Sequence, residues 1–197
     1  MKERADFSLM AGWIEDESRV LDLGCGDGSL LEFLIKEKNT HGLGVEIDIA
    51  NIENTIKKRI SVVQQDLNSG LSNFLDCSFD YVVLSQTIQE TIRPGKLLNE
   101  ILRIGKYGIV SFPNFGNVFL RIKYMFTGRT PVSSELPFEW YETPNIHFLS
   151  LKDFRAYCKK YGILIKKIAF FAGRKYSFKL PLPNLFARSC VALIVKK

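Results

Sequence analysis

"VLDLGCGDGSLLEFL", residues 20–34, sets Gly24, Gly26 and Gly28 between an apolar run and a helix-like run. Three glycines in five positions mean that a ligand or a stretch of backbone comes very close, or that left-handed backbone angles are required. Residues 19–23 (RVLDL) read as a short buried strand, and Leu30, Leu31, Leu34 and Ile35 recur at helical spacing after the loop. A loop between such a strand and helix lies at the strand's carboxyl end, where open α/β sheets bind ligands.

The alternation continues outward. HGLGVEI (41–47), ISVVQQ (60–65), FDYVVLSQ (79–86) and YGIVSFP (107–113) read as strands. FDYVVLSQ is almost continuously apolar, as a strand covered on both faces should be. IANIENTIKK (49–58) and PGKLLNEILRI (94–104) read as helices, with Pro94 in an allowed first-turn position. Residues 4–14 predict an amphipathic helix with Phe7, Met10, Trp13 and Ile14 on one stripe. Strands alternating with helices predict an α/β fold on a parallel sheet with right-handed crossovers.

The pattern changes after Pro113. Residues 114–149 carry Pro131, Pro137, Pro144 and many aromatics. Phe119 and Phe126, at helical spacing around Ile122, are expected to form a satellite core; Trp140 and Tyr141 are expected on a lid or a docking face. SLKDFRAYCKKYG (150–162) resumes as a helix, with Ser150 as cap, Asp153 completing a capping box and Gly162 as the stop. ILIKKIAFF (163–171) and SCVALIVKK (189–197) predict a final antiparallel hairpin at the sheet edge. Without repeats or clear linkers, residues 1–197 are expected to form one domain with a 114–149 insertion.

Composition bounds the partners. Of 197 residues, 46% are hydrophobic and 24% charged, an ordinary globular ratio. No apolar run approaches the roughly 20 residues of a membrane span, and MKERADFSLM lacks the apolar core of a secretion signal. Cys25, Cys77, Cys158 and Cys190 form no CxxC pair, so reduced thiols in a cytoplasm are expected, with neither metal nor disulfides. Residues 1–149 hold 15 Lys+Arg against 20 Asp+Glu, whereas residues 150–197 hold 12 against Asp153 alone. Such asymmetry can mark an acidic partner or nucleic acid; the other reading is solvated lysines on outer faces, and no arginine-rich run or nucleic-acid motif sharpens the first.

The loop discriminates among nucleotides. Its glycines are not spaced GxGxxG, Ser29 stands where the third dinucleotide glycine would fall, and no GK[ST] follows. Asp22 and Asp27 would repel a pyrophosphate and attract an ammonium or sulfonium. Glu46 ends the second strand, 20 residues after Gly26, where a carboxylate can accept from both ribose hydroxyls at about 1.5–3 kcal/mol each. Asp66 ends the third strand, where an acid can accept from an adenine amino group. Together these describe a nucleoside carrying a positive amino acid: S-adenosylmethionine. The competing account makes Asp22 and Asp66 caps of helices or turns.

From about residue 18 to 113 the sequence resembles the class I S-adenosylmethionine-dependent methyltransferases. The resemblance implies a Rossmann-like, seven-stranded, mostly parallel sheet with helices on both faces and an antiparallel C-terminal hairpin. It places Asp22 and Gly24 near the methionine moiety, Glu46 on the ribose, Asp66 near the adenine and Ile47 against the base, with Gly26, Gly28 and Ser85 completing the set. LSQTIQETIRP (84–94), IVSFPNFGNVFLR (109–121), GRTPVSSELPFEWYETPNIHF (128–148) and LKDF (151–154) resemble one narrower family, the methionine biosynthesis protein MetW. That resemblance implies S-adenosylmethionine or S-adenosylhomocysteine as cofactor and a homoserine O-acetyltransferase as partner. An independent small-molecule methyltransferase and a scaffold with a vestigial nucleoside site remain as alternatives. Glu90 stands about where many small-molecule methyltransferases place a histidine, and His147 is the other candidate base. Trp140, Tyr141, Asn145 and His147 are candidates for contacting a partner or acceptor. No DPPY or NPPY occurs, which disfavours nucleic-acid bases.

Overall fold

The structure, a computed structural model, describes residues 5–197; Arg4, the first residue of the expected first helix, lies outside the described residues. In chain order the elements are α1 (Ala5–Ala11), β1 (Arg19–Leu23), α2 (Ser29–Lys38), β2 (His41–Glu46), α3 (Ile49–Lys57), β3 (Ser61–Gln64), β4 (Phe79–Ser85), α4 (Pro94–Ile104), β5 (Gly105–Pro113), α5 (Val118–Thr127), α6 (Leu151–Lys160), β6 (Ile163–Phe171), β7 (Tyr176–Ser177), α7 (Pro183–Phe186) and β8 (Ser189–Lys196). One sheet runs β3-β2-β1-β4-β5-β8-β6-β7. Strands β1 to β5 pair in parallel, β8 is antiparallel to both β5 and β6, and β7 is antiparallel to β6.

The expected alternation is present, with one difference. Among the described residues the sheet has eight strands rather than seven, because Tyr176 and Ser177 add a two-residue edge beside Phe171 and Phe170. The final pair is antiparallel toward that end of the sheet, as expected, with β8 the inner strand beside β5 and β6 the outer one. The reason is apolar cover: residues 190–194 are all buried, whereas β6 exposes consecutive Lys166 and Lys167 through a register shift after Ile165.

Side chains of period two divide between the faces. Leu21, Val82, Leu84, Val110 and Phe112 pack with Leu97, Leu98 and Ile101 of α4 and Phe154 of α6. Val20, Tyr81, Val83 and Ile109 pack with α2 and with Phe7, Met10, Trp13 and Ile14, the predicted stripe. Helix α6 carries the expected capping box between Ser150 and Asp153. Among the described residues no helix is long and apolar enough to cross a membrane.

The insertion departs from expectation. It leaves the sheet at buried Asn114 and Asn117, whose side-chain amides both donate to the carbonyl of Ala187 at 2.8 and 3.1 Å. Beyond them α5 buries none of its residues. Phe119 is 64% exposed and Phe126 78%, with Ile122 exposed between them. The expected satellite core is absent among the described residues: the apolar face exists, but no described element covers it.

Candidate functional site at the carboxyl edge of the sheet

Strand order reverses between β1 and β4, so the loops after these strands flank a crevice. The glycine loop follows β1, and Ser85-Gln86-Thr87 follows β4. Gly24, Gly26 and Gly28 all take left-handed angles, at φ 72°, 54° and 74°. A Cβ on Gly24 would stand 2.9 Å from the side chain of Thr87, and one on Gly28 3.0 Å from that of Thr55. A Cβ on Gly26 would meet nothing within 4 Å. Two glycines therefore admit threonines of this chain, and only Gly26 faces open space.

Glu46, buried at the end of β2, closes over that loop. Its Oε2 accepts from the Gly26 amide at 2.8 Å, and its Oε1 from the amides of Ile47 and Asp48 at 2.8 and 3.0 Å. An ionised carboxylate offers about four acceptor positions, so three amides leave room for a further donor. Asp22 is 2% exposed on β1, in register with Gly44 of β2 and Val83 of β4. Burial, then the charges of Asp22 and Glu46, push the buried Cys25 thiol up to about 12. Both carboxylates thus act on one point of the loop, a field that favours a cation there.

Asp27 does not join that field. It is exposed, and Lys58 Nζ donates to its Oδ2 at 2.9 Å. Burial raises its carboxyl, but hydrogen bonds from Lys58 and Ser29 outweigh this and hold it below the usual range. Asp66 lies two residues past Gln64, the β3 partner of Glu46. It caps a 3-10 turn, its Oδ1 accepting from the Asn68 amide at 2.8 Å. Capping and ligand contact are compatible, since the carboxylate has a second oxygen. Ile47 is exposed beside Glu46, an apolar surface at the same edge.

Across the crevice, Ser85 Oγ lies 3.2 Å from buried Ser111 Oγ. Gln86 takes a left-handed φ of 58°, held by its amide donating to the Ser111 carbonyl and hydroxyl. Non-glycine residues in this region cluster at functional sites. A 3-10 turn, Ile88–Glu90, follows. Burial raises the Glu90 carboxyl, the Gln89 amide partly offsets this, and the charge of Glu46 raises it further. The Gln89 carbonyl accepts from the amides of both Ile146 and His147, at 2.8 and 3.0 Å, tying the insertion to this turn.

The structure thus gathers the glycine loop, Asp22, Glu46, Ile47, Asp66, Ser85 and Glu90 at one edge, with Asn145 and His147 strapped beside Glu90. Trp140 and Tyr141 are separate: both are exposed, and their rings meet edge to face at 5.6 Å. Sequence reasoning missed Thr55, Thr87, Gln86, Gln89 and Ser111. The polar run SQTIQE after an apolar strand was the available signal for Gln86 and Gln89. Among the described residues no group of three His, Cys, Asp or Glu is placed to hold a metal.

Residues 4–194 match the family described as "Methionine biosynthesis protein MetW". The chain is 40% identical over 162 residues to the bifunctional methionine biosynthesis protein MetXA/MetW of Rhodopirellula baltica, covering 78% of this chain and 26% of that protein. It therefore spans about a quarter of that relative's length. Among solved structures, an S-adenosylmethionine-dependent methyltransferase from Archaeoglobus fulgidus superposes with a TM-score of 0.70 at 21% identity, over 98% of this chain and 92% of that one. The cyclase SpnF superposes at 0.67 and 15% identity, over 96% and 80%. These likenesses show a methyltransferase fold, and the second that the fold also hosts other chemistry.

Proposed function

Because the chain belongs to the methionine biosynthesis protein MetW family, we propose that it binds S-adenosylmethionine or S-adenosylhomocysteine and acts with a homoserine O-acetyltransferase. One observation carries the binding half: Gly26 leaves open space in the loop while its amide is held by Glu46. In this reading Glu46 also accepts from the ribose, Asp22 and Glu46 favour the cationic end, and Asp66 and Ile47 flank the base. S-adenosylmethionine, when bound, supplies a methyl group on a sulfonium. Positioning an acceptor against it falls to the residues after β4.

The partner half rests on the relative that carries MetXA and MetW in one chain. Fusion raises effective concentration, which favours an interaction that separate chains must make through a surface. The exposed aromatics of α5 and residues 138–148 are that surface in this reading, since Trp and Tyr dominate interface hot spots.

S-adenosylhomocysteine at 100 times its Kd should stabilise the chain by about 2.7 kcal/mol. That raises Tm by several degrees, at about 2–4 °C per kcal/mol. Glu46→Ala should remove most of this shift. It also strips an acceptor from three backbone amides, so the ligand-free variant should itself lose about 1–3 kcal/mol or more. No shift in nucleoside-free wild type, or a larger one with NADH, would overturn the binding half. For the partner half, acetyltransferase activity is measured with and without this chain. If the two do not bind, an independent small-molecule methyltransferase becomes the better reading, favoured by the cleft beside Glu90.

A further inference from the structure

Beside the nucleoside edge lies a cleft of 740 Å³, within the range of small-molecule sites. It runs from Gln86, Gln89 and Glu90 after β4 to Asn145 in the insertion, and Arg174 beyond β6 also lines it. Gln89 is 3% exposed. Its Nε2 donates to the Gln86 carbonyl at 2.6 Å, and since a carbonyl can only accept, the amide cannot be turned the other way. Its Oε1 is buried and meets no donor among the described residues. The Oδ1 of Asn145 is buried without a donor too, its Nδ2 lying 3.0 Å from the Thr143 hydroxyl, a partner that fits either turn of that amide. A buried acceptor without a donor costs about 1–3 kcal/mol, so two in one cleft call for an explanation. Glu90 adds a carboxylate to the same wall.

We propose that this cleft is a second ligand site, for a small molecule with a primary ammonium beside a carboxylate. Gln89 Oε1, Asn145 Oδ1 and Glu90 match the three N–H donors of the ammonium, and Arg174 takes the carboxylate. The site goes beyond nucleoside binding and does not require it. It joins the turn after β4 to the insertion, so its occupant bridges the two parts of the molecule that the proposed function uses.

The test is calorimetric titration of the full chain with L-2-aminobutyrate and L-methionine, first free of nucleoside and then saturated with S-adenosylhomocysteine. Butyrate, lacking the amine, and propylamine, lacking the carboxylate, are the controls. Both amino acids should bind in both states, and both controls should bind about tenfold more weakly or worse. Gln89→Leu and Asn145→Leu should each weaken the amino acids by about tenfold, while Asn145→Asp retains them and nucleoside affinity stays within about twofold. Should Gln89→Leu fail to fold, the two Asn145 variants, on a half-buried loop, carry the test alone. No amino acid binding below about 10 mM, or butyrate binding equally well, overturns the proposal. Loss of amino-acid binding under saturating nucleoside overturns it too: the acceptors would belong to the nucleoside's own amino-acid end, and the proposed function would stand. Amino-acid binding without any nucleoside binding has the opposite meaning, supporting this site and sinking the nucleoside reading.

Discussion

Gly24, Gly26 and Gly28 share a left-handed φ but not a neighbourhood, and substitution should separate them. Gly24→Ala and Gly28→Ala set a Cβ at 2.9 and 3.0 Å from Thr87 and Thr55, β-branched residues with little freedom to turn away. Each should cost the left-handed penalty of about 1–2 kcal/mol plus the collision, read by denaturant unfolding. At Gly26 an added Cβ meets nothing within 4 Å, so Gly26→Val starts from open space. It should cost only the backbone strain, about 1–3 kcal/mol, and abolish nucleoside binding in a chain that still folds. Unchanged affinity on titration would reduce the loop to a turn. Glu90 gives a second separation. Burial raises its folded carboxyl above the unfolded value, so its stabilising effect is complete at low pH and lost as pH rises through the folded value. Glu90→Gln should therefore melt above wild type at pH 8, with the gap closing toward pH of about 4. The closeness of Glu46 to the glycine loop was legible in the sequence because Gly26 lies one strand-helix-strand unit away. Thr55, Thr87 and Gln89 were not, since their roles depend on which loops the sheet brings together.

Helix α5 shows what periodicity leaves open. Phe119, Ile122 and Phe126 were legible as one face, but a pattern says that a face is apolar, not what covers it. Serine at all three should leave stability nearly unchanged, because exposed substitutions usually fall within about 0.5 kcal/mol each. The same triple variant should lose affinity for the acetyltransferase. Trp140→Ala should speed dissociation from it by about thirtyfold, the equivalent of a 2 kcal/mol hot spot, without altering nucleoside affinity. Surface-bound kinetics beside a nucleoside titration checks both; loss of nucleoside binding or of the fold would make the segment a lid or a core. Strand β8 was the reverse case. The antiparallel final pair was legible, but which of its two strands lies inward was not, because that depends on the burial of residues 190–194 against the exposed Lys166 and Lys167 of β6.

Across the whole molecule the charges are polarised along the sheet. Lys159 and Lys160 end α6, and Lys166 and Lys167 sit on β6, all exposed and several strands from the acidic loop at β1 and β2. Rim charges act mostly on association, and beyond about 8 Å they are screened at physiological ionic strength. Changing these four lysines to glutamine should slow association with the acetyltransferase at low salt more than at high salt, with dissociation little changed. A matching fall in dissociation-limited affinity at both salts would place the lysines at the centre of the contact. The bonds that Ile146 and His147 give to the carbonyl of Gln89 also work as a clock. In heavy water an amide proton exchanges only when its bond opens. These two protons, set in an otherwise solvent-facing stretch, exchange in proportion to the share of time the insertion has let go of the turn after β4, so a slowing on adding a ligand reports closure at the site without any assay of what the site does.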